Sequence, residues 1–451
     1  MPSASSAASD SGRRVPSSLW RDVDFRRLWT GQTASQLGEH TSLVVLPLFA
    51  VLTLHASAGE LGVLRAVGQA PILLLSLFAG AWVDGWRTRT TMVLTDAGRA
   101  LTLGAAAVAG LIGRLGLPAL LVLAFAVGAL SVFFDVAYQA SAVRLVTDDQ
   151  LVRCNSALEG SRSAAQVGGP ALGGALVSLL SAPIAVASSA LFFALSCLSI
   201  VRIRRIESIP GSSAGVERPP RVWRRIHEGL RFVVGHPVLR TVCLASAAFQ
   251  FSFAAMMTVY LLFLPRELHL SGAVVGLALA ATGPGALLGS LLAARLPNRF
   301  GHGPVLVSAA AIGDGVFLCV PALHGSCPAT VATLFAAGFV FGTGGQLVNV
   351  TVMAVRQVVT PDGMQGRAAA TITFVGMGLT PLGSLLGGYL AEGWGLRTSV
   401  LVTAAAMLLS PAVMALSPLA HLGRTLTSSR DRCCHCGDTG AGFPADCGNC
   451  T

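Results

Sequence analysis

The chain of 451 residues is 53% hydrophobic and 12% charged, with a mean hydropathy of +0.69, whereas an average soluble domain carries about 25% charged residues. These figures exclude a soluble enzyme, a disordered chain and a disulfide scaffold, and they point to a protein that spends most of its length in lipid. The net charge is +10, and all 31 basic residues are arginine, so their placement along the chain becomes the next question.

Residues 1–27 open the chain as a Ser/Ala-rich polar stretch. Arg13 and Arg14 are not followed by the apolar core of a secretory signal, so a flexible cytoplasmic tail is expected. A hydrocarbon core of about 30 Å needs about 20 helical residues. That ruler predicts twelve helical spans, at 28–54, 60–83, 91–112, 117–139, 155–180, 183–203, 241–264, 272–296, 303–323, 328–352, 367–391 and 396–418. The runs are too long, and alternate too little, for membrane strands. The chain thus divides into a six-span bundle at 28–203, a polar Arg- and Pro-containing connection at 204–240, a second six-span bundle at 241–418 and a Cys-rich tail at 419–451.

With the N-terminus inside, the cytoplasmic segments hold 25 arginines and the outer loops three, Arg114, Arg266 and Arg397; Arg65, Arg99 and Arg162 fall within spans. This asymmetry predicts both termini in the cytoplasm of a multi-pass plasma-membrane protein, and removes most of the case for a nucleic-acid surface. The halves also look like copies. Ala142-Val143-Arg144 after span four recurs as Ala354-Val355-Arg356 after span ten, 212 residues on, with one or two extra residues following. Gly169-Pro170-Ala171-Leu172-Gly173-Gly174 on span five matches Pro381-Leu382-Gly383 and Gly387-Gly388 on span eleven. Such a repeat predicts two pseudo-symmetric bundles with a site between them.

Four stretches, in order and spacing, resemble the major facilitator superfamily, in particular its drug-efflux branch of macrolide and enterobactin exporters. They are Phe25-Arg26-Arg27-Leu28-Trp29 with Ser35-Gln36-Leu37-Gly38-Glu39; Gly80-Ala81-Trp82-Val83-Asp84 with Arg87, Arg89, Asp96 and Arg99; the glycine–proline run at 169–174; and Glu228-Gly229-Leu230-Arg231-Phe232 with His236-Pro237. The loop signature departs from the superfamily pattern at Gly85, where Arg is usual. The second-half counterpart has Ala293 in place of an acid, and Ser188 and Ser189 stand where the branch often has an acid in helix 6. The resemblance implies an all-α fold of two six-helix bundles and transport by alternating access.

Charges in the spans need a reason, because each costs a few kcal/mol or more at the bilayer centre. Glu39 lies near the midplane; it suits a site for a proton or a cationic substrate, or else a static partner for a buried arginine or hydroxyl. Asp84, Arg87, Asp96 and Arg99 are expected as an ion-paired latch at the cytoplasmic ends of helices 2 and 3. Glu159 and Arg162, three apart, should pair on one face. Asp135 would sit at the cavity lip. His40 and Asp314 read as structural, and Arg65 as paired or snorkelling outward. Gly169, Pro170, Gly173 and Gly174 would bend and tightly pack helix 5, sealing the centre against leak. A cavity between helices 1, 4, 7 and 10 would be lined by Phe49, Phe133, Phe134, Tyr138, Gln250, Phe253, Tyr260, Gln346 and Asn349. Large apolar walls with few polar groups suit amphiphilic, drug-like molecules.

In the tail, Cys433 and Cys436, then Cys447 and Cys450, form two C-x-x-C pairs that either hold zinc or stand in an unstructured tail. No other cofactor is expected, nor catalysis, and the absence of lysine excludes a Walker-type ATP site in this chain. The expected function is a monomeric proton antiporter that expels amphiphilic small molecules. The alternatives are a dedicated exporter of an endogenous metabolite or siderophore, an importer, and a non-transporting sensor with a metal-binding tail.

Overall fold

The computed structural model describes residues 19–84, 87–145, 151–203, 222–361, 364–421 and 423. The first half holds six long helices: α1 (Val23–Leu52), α2 (Ala58–Asp84), α3 (Thr88–Leu111), α4 (Leu117–Leu145), α5 (Leu151–Leu179) and α6 (Ala182–Val201). A connecting helix, α7 (Val222–Gly235), precedes the second half, where several crossings are broken. These are α8 (Pro237–Arg266), α9 (Gly272–Ala280) continued by α10 (Thr282–Ala293), and, after the short α11 (Leu296–Phe300), α12 (His302–Gly315) with a 3-10 extension. Then come α13 (Pro328–Val359), α14 (Gln365–Gly378) continued by α15 (Thr380–Trp394), and α16 (Leu396–Met407) continued by α17 (Leu409–Ala415). Pro284, Pro381 and Pro411 fall in the first turns of α10, α15 and α17, where a missing N–H costs nothing, and each break lies just before one of them.

Among the described residues, eleven crossings are long and apolar enough to span a bilayer on length and composition alone. The twelfth, α5, carries Arg153, Glu159 and Arg162, which lower its hydropathy; its 29 residues still give about 43 Å of helix. All twelve predicted spans are therefore helices. The connection at 204–240, expected only as a polar linker, contributes α7, which docks on α14: Arg367 Nη1 donates to Glu228 Oε2 at 2.9 Å, and Val233 is buried.

The two halves repeat with a step of 214 residues through their first two helices and again along the fifth, and of 212 in between. His55 and His269, in the loops after α1 and α8, both hold positive φ (51° and 55°), a conformation uncommon outside glycine. The seams between the halves repeat too. On α5, Gly169 and Gly173 face α1 at His40 and Thr41, while Gly174, a residue on, faces α9. A Cβ on Gly174 would come within 2.6 Å of Gly276 Cα, so only glycine permits this approach. On α15, Gly383 and Gly387 face α8 at Phe251 and Ala255, while Gly388 faces α2, where a Cβ would lie 2.7 Å from the Ala58 carbonyl oxygen. Thr41 maps onto Ala255, Gly62 onto Gly276 and Gly174 onto Gly388 by the same step. The copies foreseen from the glycine pattern are thus equivalent parts of two packed seams, α5 on α9 and α2 on α15.

Both seams lie toward the ends of the helices away from the chain termini. There a single apolar core joins the halves, running from Val44–Val51 and Leu61 through Phe193 to Tyr260–Leu264, Phe317 and Met407. Toward the termini the described core separates into clusters belonging to one half each, around Leu28, Met92 and Phe134 on one side and around Leu239, Leu306 and Ile372 on the other. Among the described residues, one shared core at one end and divided cores at the other leave the halves apart on the side of Leu19 and Gly423, and that gap is the opening.

Candidate functional site

The first half buries a charged network. Arg99, halfway along α3, has no exposed surface, a cost tolerable only because every neighbouring helix supplies a partner. It makes a close ion pair with Asp96, one turn back, also fully buried. Its Nη2 donates to Ser35 Oγ on α1 at 3.0 Å, its Nη1 to Ser131 Oγ on α4 at 3.1 Å. Phe134 on α4 and Phe193 on α6 sandwich the guanidinium, with ring centroids 4.4 and 4.3 Å away. Asp96 in turn accepts from Ser35 at 3.2 Å and from Ser196 on α6.

Glu39 connects this network to the opening. Its Oε2 lies 3.6 Å from Arg99 Nη1 while the side chain keeps 25% of its surface exposed. Around it, Asp135 lies within electrostatic reach of Glu39, Arg99 and Arg162, and His40 within reach of Glu39 and Arg162. Arg162 pairs with Glu159 at 3.7 Å on the exposed face of α5, as their spacing suggests.

Two members of the expected latch, Asp96 and Arg99, stand apart from Arg87. Arg99 stands twelve residues, about 18 Å, along α3 from Arg87, so Asp96 and Arg99 belong with Glu39 rather than with the α2–α3 loop. Arg87 is exposed at the N-cap of α3. The Asp84 side chain lies outside the described residues, as do Cys433, Cys436, Cys447 and Cys450.

The second half offers rings in place of charges. Phe249 and Phe253 on α8 and Phe341 on α13 stack with centroids 5.4 to 6.4 Å apart, and Phe317 meets Phe341 edge-on at 5.1 Å. All three stacked rings are half-buried. Gln250 packs beside Gly376, and Gln346 beside Gly289; Asn349 is exposed. Three expected cavity residues lie elsewhere. Phe49 is buried against Gly110 in the shared core, Tyr260 is buried edge-on to Phe317, and Phe134 is behind the wall on Arg99. Phe133 and Tyr138 are half-buried near it, Tyr138 stacking on Phe134 at 6.4 Å. Sequence reasoning missed Ser35, Ser131, Ser196, Phe193 and Phe341; the serines' one-turn relation to Glu39 and Phe193 was the available signal for two of them, Ser35 and Ser196.

The profile for transmembrane secretion effectors, in its MFS_3 form, matches residues 16–435. The chain is 29% identical over 390 residues to the multidrug efflux pump Tap of Mycobacterium tuberculosis, covering 81% of this chain and 87% of Tap. It is 28% identical to Tap of Mycolicibacterium fortuitum, covering 84% and 92% of the two chains. Among solved structures, a bacterial homologue of the lysosomal transporter Spinster, inward-facing and unoccupied, aligns with a TM-score of 0.67 at 13% identity over 90% of this chain and 98% of that one. A bacterial homologue of the iron transporter ferroportin, inward-facing, aligns with a TM-score of 0.67 at 18% identity over 87% and 97%. These likenesses place the fold, and the profile match settles the kinship: the chain is a multi-pass membrane transporter that belongs to the transmembrane secretion effector family of the major facilitator superfamily.

Proposed function

We propose that the protein expels amphiphilic, drug-like small molecules across the plasma membrane in exchange for protons, by alternating access, with both termini in the cytoplasm. The observation that carries the reading is Glu39, a carboxylate with one oxygen against a sealed arginine network and the rest of its side chain facing the opening. The kinship with pumps named for multidrug efflux and the half-buried stacked rings support the cargo class. The arginine asymmetry supports the sidedness.

In the cycle, the inward-open protein takes cargo while Glu39 is a carboxylate held toward Arg99. The far end then opens as the α5–α9 and α2–α15 seams part. This also breaks two hydrogen bonds between the halves there, from Arg266 Nη2 to the Ala56 carbonyl and from the Ala273 amide to Ser178 Oγ at 2.6 Å. A proton taken up by Glu39 on the outside weakens its attraction to Arg99; return of the protein to the inward-open form delivers that proton to the cytoplasm.

The test is export from cells or inverted vesicles under an imposed pH gradient, comparing the native protein with Glu39→Gln. Gradient-driven export should fall by about a hundredfold, the scale of losing one essential proton-transfer group, while cargo-for-cargo exchange persists. If Glu39→Gln exports as the native protein does under the same gradient, proton coupling through Glu39 is wrong.

A further inference from the structure

Arg65 on α2 is a half-buried cation with no counter-ion among the described residues. Its Nε is shut off from solvent and donates to nothing, and no carboxylate among the described residues lies within ion-pair range. Of the acids on the helices of the first half, Asp96 and Glu39 pair with Arg99, Asp24 with Arg27 and Glu159 with Arg162, while Asp135 on α4 makes no ion pair with Arg65. One turn further along the same face, Gln69 also keeps a buried oxygen, Oε1, without a partner.

The direction of this face follows from its neighbours. Gly62, three residues before Arg65, packs on Gly388 of α15; Gly68, three after, packs on Gly128 of α4. At 100° per residue these contacts lie about 60° to either side of Arg65. The exposed, lipid-facing Val63 and Leu74 lie on the opposite side of the helix. Arg65 therefore points inward between α4 and α15, and the part of its surface that stays accessible opens into the space between the halves. Its depth follows from the seams. Gly62 abuts Gly388, and Gly387 abuts Ala255, so one turn toward the open end Arg65 is level with Phe253 to within a turn. A guanidinium from one half thus stands at the height of the stacked rings of the other.

We infer that Arg65, with Gln69, is a binding site for the anionic group of an amphiphilic aromatic substrate, a carboxylate or phosphate whose rings rest on Phe253 and its neighbours. A guanidinium presents paired donors that match such an anion two-fold, and a low-polarity surround strengthens the match. The inference deepens the proposed function, since it assigns that cavity's cargo a negative head.

The test uses the purified full-length protein in detergent and a matched pair of probes, a naphthalene carboxylic acid with a short alkyl chain and its methyl ester. Binding is read from thermal stabilisation, with no transport step. The native protein should bind the acid roughly tenfold more tightly than the ester, the scale of one charge-assisted contact. Arg65→Gln should erase that preference and Arg65→Lys restore part of it. Equal binding of acid and ester by the native protein overturns the inference, and needs no variant. So does an acid preference that survives in Arg65→Gln, or one that chloride at equal concentration abolishes. An acid preference in a protein that exports nothing would sink the exporter reading and leave this site standing; gradient-driven export without acid preference would do the reverse.

Discussion

The two halves share a backbone plan and differ in what they mount on it. By the 214-residue step, Ser35 corresponds to Phe249 and Glu39 to Phe253. Where α1 brings a hydroxyl and a carboxylate to Arg99, α8 brings two stacked rings. Bundle geometry is fixed by glycine contacts on the outer edges of each repeat, which leaves the inward positions free to diverge: one half can hold charge, the other apolar surface. A duplicated fold thereby carries a charged network in one half and stacked rings at the matching positions of the other.

The division can be broken most severely at Arg99. Arg99→Leu leaves Asp96 buried without its cation and should cost about 3–5 kcal/mol, seen as a large fall in the detergent melting temperature; a stable, folded variant would show that the network is not needed to hold α1, α3, α4 and α6 together. Next come the seams. Gly174→Leu on α5 and Gly388→Leu on α15 each overpack only the closed far end, by about 1–3 kcal/mol, and so should shift the population toward the form open there. Accessibility of a cysteine placed at the far end should rise in both variants; a response from one alone would break the symmetry of the seams. Phe253→Ala should weaken apparent affinity by about 1 kcal/mol, a several-fold rise in KM, with the pH dependence of export intact. A change in pH dependence would show that the aromatic half also handles protons. The smallest effect belongs to the half-exposed pair between α7 and α14. Glu228→Gln should alter stability by less than about 1 kcal/mol, and a loss of export there would make the connecting helix part of the moving machinery.

Much of the frame was legible because lipid imposes length and hydropathy, and because close helix contact demands small residues at one-turn spacing: Gly169, Gly173 and Gly174 announce their counterparts at Gly383, Gly387 and Gly388. The network was not. Arg99 reads as part of a loop cluster because Arg87 and Asp96 are its neighbours along the chain, whereas its partners Ser35, Glu39 and Ser131 lie on helices far off in sequence. Nor does hydropathy tell which side of a helix that is apolar all round meets the cavity, which is why Phe49 and Tyr260 were misplaced into it. The helix at 222–235 did leave a signal, the spacing of Ile226, Gly229 and Val233, hidden among the arginines that also mark the cytoplasmic side.

The sealed arginine at position 99 has an electrical consequence. A guanidinium stays protonated at any physiological pH, and its charge is cancelled by the acid one turn away, so in the proposed cycle the charge that changes is the one assigned to Glu39. In the proposed exchange of one proton for one cargo molecule, a monocation leaves without net current, a neutral compound leaves with one positive charge entering, and a monoanion with the equivalent of two. Each of those charges draws about 2.3 kcal/mol from every 100 mV of membrane voltage, so the cargo's own valence decides how strongly an energised cell drives it out.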